Sequence, residues 1–175
     1  MKLLLSIANM IEAFILWVSS IMCWATALLM MVIIVNVTLR YGFNNGLIIF
    51  EEIQWHLYAI GIMFGLSHAE ITNSHVRVDV VASRLNPRTV LKWEVFGCLI
   101  FVLPIVFVFV FNSIDYVANA YELGEKSSSP LGLPYRWAIK AVIPVSFILL
   151  GLASIARLIK NIHQLNDVGD THGYK

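Results

Sequence analysis

The sequence predicts an all-α membrane protein with four transmembrane helices and a short amphipathic helix on the cytoplasmic interface. Three observations predict it. Charged residues make up only 13% of the chain against 59% for the AVILMFWYC set, and mean hydropathy is +0.78; soluble domains carry about 25% charged residues. The few charges divide the chain into four apolar runs. Aromatic residues gather near the ends of those runs, the headgroup level that amphipathic rings favour. A chain this apolar cannot cover itself with polar surface, so lipid is its expected solvent. A net charge of +1 gives no basic signal for nucleic acid.

No charge interrupts residues 13–39, and the uncharged stretches 53–69, 95–114 and 141–156 follow. A spanning helix needs about 20 mostly apolar residues, so the first and third runs qualify alone. The second reaches that length by starting near Ile48, drawing Glu51 and Glu52 into its first turns. The fourth does so by starting near Tyr135, with Arg136 and Lys140 snorkelling. The expected spans are 13–39, 48–69, 94–115 and 135–156, in a single membrane domain covering 1–175 with no soluble domain. Ala25-Thr26-Ala27 resembles a signal-peptidase site, but the uncharged run around it is longer than the roughly 7–15 residues of a signal core, so an uncleaved first span is expected. Pro104 and Pro144 fall within spans three and four and are expected to kink them.

Orientation follows from lysine and arginine. With both termini and the second loop on one side, that side holds eight (Lys2, Arg77, Arg84, Arg88, Lys92, Arg157, Lys160, Lys175) and the other holds four (Arg40, Lys126, Arg136, Lys140). The richer side is expected to be cytoplasmic. In the second loop, residues 75–86 place Val78, Val81, Ala82 and Leu85 on one helical face, the pattern of an interfacial helix; a short strand is the rival, since residues 75–80 also alternate. Asn86-Pro87 then reads as an N-cap with proline at the first helical position. The third loop, rich in glycine, serine and proline, reads as a turn-rich extracytoplasmic connector. The tail after Ile162 is polar and expected to fray.

Few residues carry chemistry. Glu51 and Glu52 are carboxylates at the start of a span, where they either mark an ion path or sit wetted or paired with Arg40 at the interface. Glu52 and His56 share a helix face, as do Asn36 and Arg40. His56 and His68 both belong to span two, and the other spans contain no histidine, so bis-histidine haem ligation has little support. Cys23 and Cys98 lie in apolar runs and read as small buried residues. No zinc spacing, phosphate loop or nucleophile motif is present, so neither an enzyme nor a cofactor is expected. Gly61-Ile62-Met63-Phe64-Gly65, extended by Ala69, is a small-residue stripe of the kind that lets membrane helices approach closely.

The order of motifs resembles the small membrane subunit (DctQ type) of tripartite ATP-independent periplasmic, or TRAP, transporters. The matching pieces are Asn36-Val37-Thr38-Leu39-Arg40-Tyr41, Glu51-Glu52, His75-Val76-Arg77-Val78-Asp79 and Pro130-Leu131-Gly132-Leu133-Pro134. The resemblance implies a bacterial inner-membrane scaffold within a sodium-driven importer of a carboxylate-bearing solute. Its partners would be a large membrane subunit (DctM type) and a periplasmic substrate-binding protein (DctP type). The subunit-interface or structural candidates are Arg40, Glu51, Glu52, Gly61, Gly65, His75, Arg77, Asp79, Pro130 and Pro134. Two readings from other classes stand beside it: a stand-alone proton-coupled transporter built on Glu51 or Glu52, and a haem-binding redox anchor using His56 or His68.

Overall fold

A computed structural model describes residues 2–74, 85–129 and 132–170, with side chains described through residue 166. The described residues form helices and connecting turns, without strands: α1 (Lys2–Gly42), α2 (Ile48–Ile71), α3 (Pro87–Gly97), a π-helical turn (Cys98–Val102), α4 (Leu103–Glu122) and α5 (Arg136–Asp170). The ends follow local chemistry. Asn44, Asn73 and Gly124 follow α1, α2 and α4 with φ of 50°, 55° and 55°, the left-handed region that asparagine and glycine tolerate best and that closes a helix C-terminus. Asn86 accepts a hydrogen bond from the Arg88 N–H at 3.1 Å and Pro87 opens α3, as the Asn-Pro pair predicts. The π-helical turn lies just ahead of Pro104, which stands in the first turn of α4. A widened turn thus joins α3 to α4 just ahead of the proline.

Helix α5 is the centre of the bundle. It packs against α1, α2, α3 and α4, whereas the other principal contacts join α1 to α2 and α3 to α4 through the π turn. One-third of its most apolar stretch is buried, against 6% for the corresponding stretches of α1 and of the α3–α4 unit. The reason is in its sequence. Ser146, Gly151, Ala153, Ser154 and Ala156 are buried on α5, and small residues let neighbouring backbones come close where lipid supplies no hydrophobic drive. A Cβ on Gly151 would lie 3.0 Å from Val106 Cγ1. The core forms around Ile15, Phe64, Leu149 and Ala153, one or two residues from each of α1, α2 and α5.

Among the described residues, three helical stretches are both long and apolar enough to cross a membrane: Lys2–Gly42, Pro87–Glu122 and Arg136–Asn166. Helix α2, with 24 residues, reaches about 36 Å and is long enough. It is not apolar enough, because Glu51, Glu52, Gln54, His56, His68 and Glu70 dilute it. The helices also outrun the expected spans. α1 starts at Lys2 and α5 continues to Asp170, past the point after Ile162 where fraying was expected. A charge ends an apolar run without ending a helix, and no proline or glycine follows Ile162 until Gly169. The interfacial helix expected over 75–86 falls, apart from Leu85 and Asn86, outside the described residues.

The two glycines of the stripe face different ways. A Cβ on Gly61 would meet Thr26 Oγ1 of α1 at 3.2 Å, while Gly65 has nothing within 4 Å. Gly61→Leu is therefore expected to lower the thermal stability of the purified chain by about 1–2 kcal/mol, and Gly65→Leu to leave it unchanged. Thermal unfolding of both variants in detergent checks this; equal losses would break the assignment.

Candidate functional site

The charges that terminate the apolar runs come together at the two ends of the bundle. At one end Arg157 of α5 is the hub. Its guanidinium lies 3.1 Å from Glu70 Oε1 of α2 and 3.4 Å from Glu94 Oε2 of α3, and it donates to the Glu70 carbonyl at 3.4 Å. One turn on, the Asn161 amide donates to Glu94 Oε2 at 3.0 Å, and Lys160 reaches Glu12 of α1 at 2.5 Å. Residues of a single helix thus hold α1, α2 and α3. The Arg157, Glu70 and Glu94 side chains are only 19%, 12% and 21% exposed, so bulk water screens them weakly. They line a cavity of about 170 Å³ with Cys98, whose thiol donates to the Ser154 carbonyl at 3.6 Å. Beyond this layer, His68 Nδ1 and Ser19 Oγ share a 3.0 Å hydrogen bond between α2 and α1.

At the other end Glu52 plays the corresponding part with polar donors. Its carboxylate accepts from the Ser127 hydroxyl and, at 2.5 Å, from the Leu133 N–H. One side chain at the start of α2 thereby fastens both arms of the connector that leads into α5. The connector closes on itself through Ser127 N–H to the Leu133 carbonyl at 3.3 Å and Arg136 N–H to the Glu125 carbonyl at 3.2 Å. Gly132 sits where the arms meet, and a Cβ there would come within 3.0 Å of both Ser127 and Glu52 Oε1. Lys140 pairs with Glu125, its ammonium 3.9 Å above the Tyr116 ring. Two hollows open beside the connector. One, of about 320 Å³, is lined by Tyr121, Lys126, Pro134, Tyr135 and Trp137; the other, of about 400 Å³, by Lys126, Pro134, Gly132 and Ser127 to Ser129.

The sequence candidates separate into groups. Arg40 meets Glu51 at 3.2 Å in an open pair, 58% and 47% exposed, and so staples the α1–α2 turn. Glu52 belongs to the connector clamp, and Pro134 lines both hollows. His56 shares a face with Glu52, but its Nδ1 donates to the Glu52 backbone carbonyl at 2.6 Å, leaving the carboxylate to Ser127 and Leu133. His75, Arg77, Asp79 and Pro130 lie outside the described residues. Sequence reasoning missed the Glu70–Glu94–Arg157 hub, the Glu12–Lys160 pair and the role of Ser127. A signal for the hub existed. Glu12, Glu70, Glu94 and Arg157 each border an apolar run, and alternating helix directions carry all four to one end.

These pairs are not equivalent. Arg157→Ala is expected to cost about 3 kcal/mol, because it takes their shared cation from two carboxylates that water screens weakly. Arg40→Ala is expected to cost less than about 1 kcal/mol, as exposed pairs do; detergent unfolding of the two variants checks the difference. Glu52→Ala is expected to speed amide exchange at Leu133 and across residues 125–129 while exchange in the α5 interior stays slow. Protection at Leu133 equal to that of the parent chain would refute the clamp.

The comparisons with known proteins agree with one another. The family model described as tripartite ATP-independent periplasmic transporters, DctQ component, matches residues 29–164, a range that takes in α2 to α4, most of α5 and both polar ends except Glu12. A putative TRAP transporter small permease protein of Haemophilus influenzae is 34% identical over 139 residues, covering 78% of this chain and 81% of that relative. With a bundle of long apolar helices joined at both ends by paired charges, the chain is a multi-pass membrane protein and belongs to the DctQ family of small permease subunits of TRAP transporters.

Proposed function

We propose that this chain is the scaffold subunit of an importer that takes up a carboxylate-bearing solute on a sodium gradient. It works with a large membrane subunit of DctM type, which carries solute and ions, and with a periplasmic binding protein of DctP type, which delivers the solute. The observation that carries this reading is how the ionic side chains are used. Arg157, Lys160, Arg40 and Lys140 each pair with a carboxylate of another helix or of the adjoining connector, so these charges fasten the bundle together. A rigid bundle with long apolar outer faces suits a subunit that supports a neighbour.

In this reading α2 is the fourth span. Its charges favour that placement, since Glu51, Glu52 and Glu70 lie in its end turns and each has a partner there. Both termini face the cytoplasm of a bacterium and the protein sits in the inner membrane, in keeping with the eight-to-four split of lysine and arginine. The connector clamped by Glu52 is then periplasmic, within reach of the binding protein.

Purification of the chain from its native membrane is expected to bring with it a large polytopic subunit, and deletion is expected to abolish solute uptake. A chain that purifies alone and whose loss leaves uptake intact would overturn the proposal. Solute flux driven by the isolated chain in liposomes, and abolished by Glu51→Gln or Glu52→Gln, would establish the stand-alone transporter in its place.

A further inference from the structure

The connector that leads into α5 carries a pocket to which the scaffold role gives no use. Its floor is aromatic. Tyr121, from the end of α4, and Trp137, from the start of α5, meet edge to face with ring centroids 5.6 Å apart. Tyr135 completes the hollow of about 320 Å³ that they line. The backbone of Tyr135 has a φ of 65°, which is unfavourable for a bulky side chain. The other positive-φ positions among the described residues are Asn44, Asn73 and Gly124, residue types that tolerate it. Strain of this kind persists where the surroundings fix it, and it gathers at ligand clamps. An asparagine or glycine would turn the chain here more easily, so the ring is what tyrosine adds. Lys126 lines both this hollow and the serine-lined one of about 400 Å³ beside it. Its side chain is exposed and makes no ion pair among the described residues, whereas the neighbouring Lys140 is held by Glu125.

We infer that the two hollows seat the headgroup of one membrane phospholipid, with its phosphate on Lys126. The cation calls for an anion, and the level of the site names its source. Tyr121 and Trp137 stand at the ends of apolar helices, where lipid phosphates and glycerols lie and where amphipathic rings settle. Phospholipid is the abundant anion at that level, in either leaflet. The aromatic hollow lies at the helix ends and offers the glycerol an apolar wall with polar edges. Ser128 and Ser129 lie farther out on the connector, on the other side of Lys126, and their hydroxyls meet the polar end of the headgroup. A soluble carboxylate would satisfy the lysine equally well but would leave the aromatic floor without a purpose. The inference needs the membrane and these side chains only, so it does not rest on the scaffold reading.

The test is native mass spectrometry of the full chain, stripped of lipid in detergent and titrated with dioleoylphosphatidylethanolamine or dioleoylphosphatidylglycerol. The parent chain is expected to retain one phospholipid under activation that removes the rest. Lys126→Gln and Tyr135→Asn are each expected to weaken that retention about tenfold. Lys92→Gln, which removes an exposed lysine near the hub end of the bundle, is expected to leave it unchanged. Tyr135→Asn is also expected to melt no lower than the parent, because asparagine accepts the left-handed backbone; a tyrosine needed only for structure would lower the melting temperature and spare the lipid. Retention that neither Lys126→Gln nor Tyr135→Asn alters overturns the inference. So does displacement of the lipid by millimolar inorganic phosphate, which would make the occupant a free phosphate compound. Unchanged lipid retention in Lys126→Gln alongside weaker docking of a periplasmic binding protein overturns it as well and assigns the hollows to a protein.

Discussion

The fold depends on the neutralisation of charge at the edge of the apolar layer. Glu12 of α1, Glu70 of α2 and Glu94 of α3 border the apolar runs and would each be costly to hold near hydrocarbon, and Arg157 and Lys160 of α5 answer all three within one turn of helix. Because the cations sit on one element, neutralisation and assembly are the same event. The helices cannot drift apart without exposing Glu12, Glu70 or Glu94 to a poor solvent. The small-residue face of α5 is the complement of this arrangement: it brings the neighbours close enough for short side chains to meet. Hydrophobic packing, by contrast, contributes a compact core around Ile15, Phe64, Leu149 and Ala153.

The clamp at the far end uses the opposite strategy. Glu52 faces a hydroxyl and a backbone N–H where Arg157 faces carboxylates, so a single negative charge is dispersed over neutral donors. Such an arrangement fixes the shape of a connector more than it holds helices together, because the donors lie on a loop whose two arms meet at Gly132. The exposed Arg40–Glu51 pair beside it adds little energy. One end of the bundle is thus fastened by partly shielded ion pairs and the other is shaped by hydrogen bonds. That asymmetry agrees with a rigid base and a formed, solvent-facing surface.

Much of this was legible in the sequence, and the reason is the bilayer. A solvent that tolerates few charges leaves conspicuous boundaries, so the long apolar helices and the Asn86-Pro87 start of α3 could be read directly, while the Arg40–Glu51 pair was one of several options the sequence left open. What could not be read was partnership. Glu70 and Arg157 are separated by 87 residues, and each looked like the mere end of a run. Their meeting depends on helix directions and on rotation about each axis, which hydropathy leaves undetermined. The same holds for Gly61 and Gly65, one motif in sequence but divided in space, with only Gly61 against α1. Helix length was underestimated because a charge marks where the apolar stretch stops, while the backbone ladder continues until a residue such as Asn44 or Gly124 breaks it. Helix α2 shows the converse, a segment whose charges suit its neighbours in the bundle better than a hydropathy threshold.

The hub also constrains the order in which the molecule can be made. Lys160 lies 148 residues after the Glu12 it neutralises, and Arg157 follows both of its carboxylate partners. The ribosome therefore delivers three acidic helices to the membrane well before it delivers their common counter-charge. Until α5 emerges, Glu12, Glu70 and Glu94 lack their α5 partners, and the nascent bundle is held chiefly by the α1–α2 hairpin. Completion of the protein is consequently a closing step in which the last helix enters between earlier ones. A chain that stops short of α5 leaves Glu12, Glu70 and Glu94 without the cations that α5 brings to them in the finished bundle.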